Sequence, residues 1–145
     1  HEGTINLSEG TLMFNDNNDL TGGTFTMDMT SITVTDLEAG SGKEKLEGHL
    51  KSDDFFGVNN HNKAMFTINK VDGKNGTYRV YGDLTIKDIS KPATFQMTVK
   101  GNMASASFKI DRTKYDIRYG SASFFDDLKD KAIYDEFDLN VNLKF

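Results

Sequence analysis

The sequence predicts an all-β domain, a meander or barrel of antiparallel strands with two short helices. Three observations carry that prediction. Apolar side chains recur at every second position in run after run, clusters of Gly, Asn and Asp separate the runs, and one proline with no strand–helix–strand alternation leaves no place for a doubly wound sheet.

Taken in order, Phe25, Met27 and Met29 in "LTGGTFTMDMTSI" form the first one-sided face, after the turn signal "NDNND". Residues 43–55, "KEKLEGHLKSDDF", break the alternation and place Leu46, Leu50 and Phe55 near one face of a helix. Phe66 and Ile68 resume the strand pattern. Tyr78, Val80, Leu84 and Ile86 follow the turn signal "DGKNG"; next come Phe95, Met97 and Val99, then "KGN", then Phe108 and Ile110. A second helix is expected over residues 122–132, "ASFFDDLKDKA", where Phe124, Phe125, Leu128 and Ala132 share a side. The last strand shows the alternation most clearly, with Ile133, Phe137, Leu139, Val141, Leu143 and Phe145 on one parity and only Asp135 interrupting it. Parity sends Arg79, Asp83, Thr98 and Asn140 to the opposite, solvent face.

A chain of 145 residues has the size of one domain, so residues 1–145 are expected to share a single core. With 37% hydrophobic and 11% aromatic residues the chain is too apolar to stay disordered. A net charge of -5 disfavours nucleic acid and anionic membrane surfaces as partners. No run of 18 apolar residues offers a membrane-inserting helix. Zero cysteines remove disulfides, thiolate metal sites and cysteine nucleophiles, and leave the redox compartment unreadable. The opening "HEGTINL" has neither a start methionine nor an apolar leader, as expected of a mature or trimmed product.

Catalytic motifs are missing. The three histidines, at positions 1, 49 and 61, form no metal-ligand pair. "NDNNDLTGG" has the oxygen-rich spacing of a calcium loop, but Leu20 stands where the sharp-turn glycine belongs, so a hairpin loop is expected. The pairs Asp53–Asp54 and Asp126–Asp127 sit near helix ends, where carboxylates usually cap and are solvated. No nucleophile elbow and no phosphate loop occur. "NLS" at 6–8 and "NGT" at 75–77 match a glycosylation acceptor that is common by chance.

Two longer stretches, "GHLKSDDFFGVNNHNKAMFTINKV" and "YRVYGDLTIKDISKPATFQMTVKG", resemble the spaced motifs of the YceI-like family. The resemblance runs from about Leu20 to Phe145, with "LTGGTFTMDMTSI" similar to an early strand of the family and "FKIDRTKYDIRYG" to a late one. It implies a lipocalin-like antiparallel β-barrel, exported to the bacterial periplasm or secreted, that holds a long amphiphile. Polyisoprenoid or isoprenoid-quinone ligands come first and fatty-acyl lipids second, with no covalent cofactor. Family members usually begin with a further strand or two, carrying a Ser-x-Val-x-Phe or Ser-x-Val-x-Trp type segment, before the point where this chain starts. Unpaired edges at "GTINLSEGTLMF" and at the C-terminus would favour a homodimer.

Parity and resemblance together give an expected ligand-facing set: Met27, Met29, Phe55, Phe56, Phe66, Ile68, Leu84, Ile86, Phe95, Met97, Val99, Phe108, Phe137, Leu139 and Val141. Phe55 and Phe56 are expected to close one end of the barrel, plugging the core or touching ligand. Met97, unbranched and adaptable, is the inward position where ligand contact is expected. Arg79, Arg112 or Tyr115 could receive a polar head, although Arg112 and Arg118 also read as surface or turn anchors. Two other function classes compete with lipid binding: an enzyme using Tyr115, His49 or Asp111 as acid or base on a small apolar substrate, and a ligand-free interaction or stress-response module.

Overall fold

A computed structural model describes residues 1–121, 123–124 and 132–145. Among the described residues seven antiparallel strands, β1 (Gly3–Phe14), β2 (Leu20–Val34), β3 (Lys63–Lys74), β4 (Thr77–Ile86), β5 (Ile89–Lys100), β6 (Met103–Asp111) and β7 (Glu136–Lys144), form one sheet in chain order. Among them too, one α-helix, α1 (Lys43–Lys51), interrupts the strands. The sheet curls around its apolar face as a lipocalin-like half-barrel in which β1 and β7 are the edge strands.

Tight hairpins crowd one end. Asn15 Oδ1 accepts the amides of Asn17 and Asp19 at 2.9 and 3.0 Å, which makes "NDNND" the expected hairpin loop. Asn75 and Gly76 both have positive φ, 60° and 91°, as the turn between β3 and β4 requires.

The other end holds the longer connections, residues 35–62 and 112–135, together with the Lys87–Asp88 hairpin. Within the first, α1 is shorter than the expected 43–55. Ser52 is extended at φ -73° and ψ 169°, and its hydroxyl bonds the His49 carbonyl at 2.6 Å, so a serine that competes for the backbone ends the helix there. Glu47 accepts the Val34 amide at 2.9 Å and ties α1 to the end of β2. His61 Nδ1 lies 3.2 Å from Asp88 Oδ2, close enough for an ion pair but not aligned as a hydrogen bond, and joins this connector to the neighbouring hairpin.

The helix expected over 122–132 falls largely on residues outside those described. The last strand begins at Glu136, three residues later than the alternation from Ile133 suggested. Asp135 accounts for the difference: its carbonyl accepts the Arg112 amide while its carboxylate takes the hydroxyls of Ser121 and Ser123.

Candidate functional site

The concave face is apolar, and its side chains differ in how far they are packed. On β3, β4 and β5 the inward side chains Phe66, Ile68, Tyr78, Val80, Leu84, Ile86, Phe95 and Met97 are buried. Toward the two edge strands burial is mixed: Phe25 and Met29 of β2, Ile110 of β6 and Leu143 of β7 are buried, while other inward side chains are half-buried. Leu12 and Phe14 of β1, Met27 of β2, Phe108 of β6 and Phe137, Leu139 and Val141 of β7 pack against the core yet keep surface free. The result is a trough whose floor is solid and whose rims remain available.

All fifteen of the expected ligand-facing side chains belong to this apolar cluster, buried or half-buried. Arg79, Asp83, Thr98 and Asn140 are exposed on the opposite face, as parity requires. Met97 is only 2% exposed and packs as core, whereas Met27 is the methionine on the available rim. The period-two signal tells inside from outside but not depth: Met27 and Met29 share β2, yet only Met29 is buried. Leu12 and Phe14 give no strand signal in the sequence, because "GTLMF" offers only two alternating apolar positions after a polar run.

The connector end is closed by a dense plug. Phe55 and Val58 come from the first connector, and Tyr115, Ile117 and Ser121 from the second, all buried. Phe56 stays half-buried on the trough side, its ring edge-on to Phe137 at 6.3 Å between centroids. Arg112 anchors the plug. Only 3% exposed, it donates from Nε, Nη1 and Nη2 to the carbonyls of Tyr134, Ile117 and Ile133 at 2.9, 2.9 and 3.1 Å. Burial lowers its pKa from the usual value, opposed by the negative charges of Asp135 and Asp111. Arg112 is therefore a buried turn anchor, not a surface residue, and its fork is turned on backbone carbonyls instead of a ligand head.

The other head-group candidates fare differently. Arg79 is exposed on the outer face, 5.8 Å from the centre of the Tyr81 ring, and does not reach the trough. Tyr115 is buried beside the trough's closed end, and its burial raises its pKa, with the charge of Asp83 adding to the rise.

An acid–base constellation does not assemble. Asp111 Oδ1 caps the 3-10 turn Arg112–Tyr115 through the amide and hydroxyl of Thr113 at 2.9 and 2.5 Å. The His49 ring is held edge-on by Phe55 and Tyr119 at 4.9 and 4.6 Å. Among the described residues no hydrogen bond joins His49, Asp111 and Tyr115, and no cluster of His, Asp and Glu could hold a metal. Two open hollows of about 500 and 440 Å³ occur elsewhere, one around Asp72, Tyr78, Arg79, Thr94, Phe95 and Gln96 and one around Thr98, Ser105, Ser107 and Asn142. Both are shallow and open; the first sets Asp72 opposite Arg79 across neighbouring strands and the second is lined by neutral side chains, so the trough is kept as the candidate site for its row of apolar side chains.

Comparison with known proteins agrees with this geometry. The family description "YceI-like domain" matches residues 1–145. A UPF0312 protein of Staphylococcus aureus is 30% identical over 101 residues, covering 62% of this chain and 57% of that protein. The YceI protein of Shigella flexneri is 25% identical over 99 residues, covering 68% of this chain and 49% of its own length. The chain thus spans about half the length of these curated relatives. Among solved structures, a Campylobacter jejuni YceI protein superposes with a TM-score of 0.74 at 19% identity, over 100% of this chain and 85% of that one. BcnA of Burkholderia cenocepacia gives 0.69 at 18% identity, over 92% and 80%. None of these relatives has an enzyme's name.

Proposed function

The chain belongs to the YceI-like family, and on that premise we propose that it binds one long amphiphilic lipid, of polyisoprenoid, isoprenoid-quinone or fatty-acyl type, along the concave trough. The observation behind this reading is the half-buried rim of Leu12, Met27, Phe56, Phe108, Phe137, Leu139 and Val141. Large apolar side chains that line a concavity and keep free surface are what a hydrocarbon chain covers with gain, at about 0.8 kcal/mol per CH₂. The plug at Phe55 and Arg112 gives the trough a blind end. A chain would enter tail first and leave its polar head toward the open side. The role would be carriage or storage outside the cytoplasm, in the periplasm or after secretion, with no covalent chemistry.

Organic extraction of the purified protein followed by mass spectrometry tests this. Near-stoichiometric recovery of a long-chain amphiphile, or uptake of one added in vesicles, supports the reading. A protein that stays empty after incubation with polyprenyl, quinone and fatty-acyl lipids would leave a surface interaction module as the better account.

A further inference from the structure

The ladders of the sheet are unequal in length. β5 pairs with β4 from Thr77 opposite Thr98 to Ile86 opposite Ile89, and β6 pairs with β7 over the whole of both strands. Between β5 and β6 the ladder holds only four pairs, from Lys100 opposite Met103 to Met97 opposite Ala106, although the strands have 12 and 9 residues. The sheet therefore has a seam in its interior, between two strands whose connecting turn, with Gly101 at φ 62°, is in place.

Side-chain size accounts for where the seam begins. Inward pairs within the ladder, Val99 with Ala104 and Met97 with Ala106, set a larger side chain against an alanine. The same register next sets Phe95 against Phe108, and there the two rings stack with centroids 4.4 Å apart and 11° between their planes. Backbone pairing stops at that point. Pro92 marks the same stretch independently. Val99 N donates to the Gly76 carbonyl on the β4 side at 2.7 Å, so odd residues of β5 bond toward β4 and even ones face β6. The one proline of the chain thus sits at an even position, where an intact ladder to β6 would need its amide.

Beyond the ladder, what joins the two sides is aromatic. Phe95 meets Phe108, Phe56 meets Phe137 at 6.3 Å, and Phe55 meets the Tyr119 ring at 5.9 Å and the Arg112 guanidinium at 5.3 Å. Among the described residues no hydrogen bond or ion pair outside the ladder joins β5 or residues 35–62 to β6, β7 or residues 112–135. Stacked rings part without leaving a polar group unpaired, which a ladder cannot do. The packed floor on β3, β4 and β5 gives a hydrocarbon no depth, so a chain on the rim is covered on one side, whereas a parted seam covers it on both. We infer that the β5–β6 seam is an expansion joint of the lipid site: β6 draws back from β5 about the Gly101 turn, the Phe95–Phe108 stack opens, and the hydrocarbon chain lodges between the two rings. That movement presupposes the lipid reading above, and it puts the chain at a named pair of side chains.

The chain has no cysteine, so a cleavable tether can be set across the seam on its outer face. Thr94→Cys and Lys109→Cys, at exposed positions that face each other when the β5–β6 register is continued, are joined in one double variant by a short bis-maleimide containing a disulfide. Fluorescence titration reads its affinity for a pyrene-labelled fatty acid and for a pyrene-labelled polyprenol before tethering, after it, and after reductive cleavage. The tethered protein should bind about tenfold more weakly than the same protein untethered, and cleavage should restore binding. In the lipid-free wild type the Thr94 amide, which faces the seam, should exchange with deuterium about tenfold faster than the Thr98 amide in the ladder. Equal affinity with and without the tether overturns the expansion joint and leaves the lipid reading standing. So does a loss that cleavage fails to reverse, or equal exchange of the two amides. A wild type that binds neither probe overturns both.

Discussion

The guanidinium of Arg112 stands 5.3 Å from the centre of the Phe55 ring, where two connections far apart in the chain meet to close one end of the sheet. Lysine cannot reproduce a fork that reaches three carbonyls at once, so Arg112→Lys should cost about 2–4 kcal/mol. Phe55→Ala should cost about 3–5 kcal/mol. Because the two groups touch, the double variant should lose less than the combined cost of the singles. Urea denaturation of all four proteins reads this coupling, and strict additivity would mean that the contact contributes nothing.

Lipid retention should depend on the rim more than on the floor. Met27→Arg puts a charge on the half-buried apolar rim and should abolish co-purified lipid while the domain stays folded; Thr98→Arg, on the exposed outer face, should retain it. Met97→Arg buries its charge at a position only 2% exposed and should unfold the protein instead. Extraction and circular dichroism on the three variants distinguish these outcomes.

Stability should fall at both extremes of pH for separate reasons. The hydroxyls of Ser121 and Ser123 hold the Asp135 carboxyl below its usual range. Its contribution is therefore complete above the ordinary aspartate pKa of about 4 and fades as pH drops through the lower folded value. Burial raises Tyr115, so its contribution is complete below about pH 10 and fades as pH rises through the folded value. Asp135→Asn should flatten the acid limb of a stability–pH curve and Tyr115→Phe the alkaline limb. Each should leave the other limb unchanged.

Two backbone positions should respond in opposite directions. At Gly82 a β-carbon would collide with the Thr67 carbonyl oxygen and the Phe66 ring, so Gly82→Ala should destabilise by about 1–3 kcal/mol. Lys87 sits at φ 52° in the hairpin it forms with Asp88 at 64°. Asparagine tolerates that conformation better, and Lys87→Asn should add up to about 1 kcal/mol. Thermal melts would show both shifts.

Strand identity was legible because it depends on period-two contrast, as in Phe95, Met97 and Val99 against Gln96 and Thr98. The turns were legible because Asn75–Gly76 can do little else. What the residues could not convey is long-range arrangement. Asp135 looked like a flaw in an alternating run, and only the buried Arg112 and the hydroxyls of Ser121 and Ser123 give it a purpose. Ser52 looked like a tolerable helix residue until its hydroxyl competed for the His49 carbonyl. The difference between the packed Met97 and the half-buried Met27 depends on which side chains of other strands lie over each, which no local window contains.

Because sheet order follows chain order, every strand docks on one that immediately precedes it in sequence. β3, β4 and β5 are joined by the turns Asn75–Gly76 and Lys87–Asp88 and can zip together at small loop-closure cost. Adding β2 or β7 must first close residues 35–62 or 112–135. The folding nucleus is thus expected in the central three strands, with φ-values near zero at Phe55 and Arg112, which lie outside those strands, Arg112 reaching the Ile133 and Tyr134 carbonyls only once residues 112–135 close. Substitutions in the plug would then hasten unfolding and leave the folding rate nearly unchanged, which makes the closed end the place where the lifetime of the native state is set.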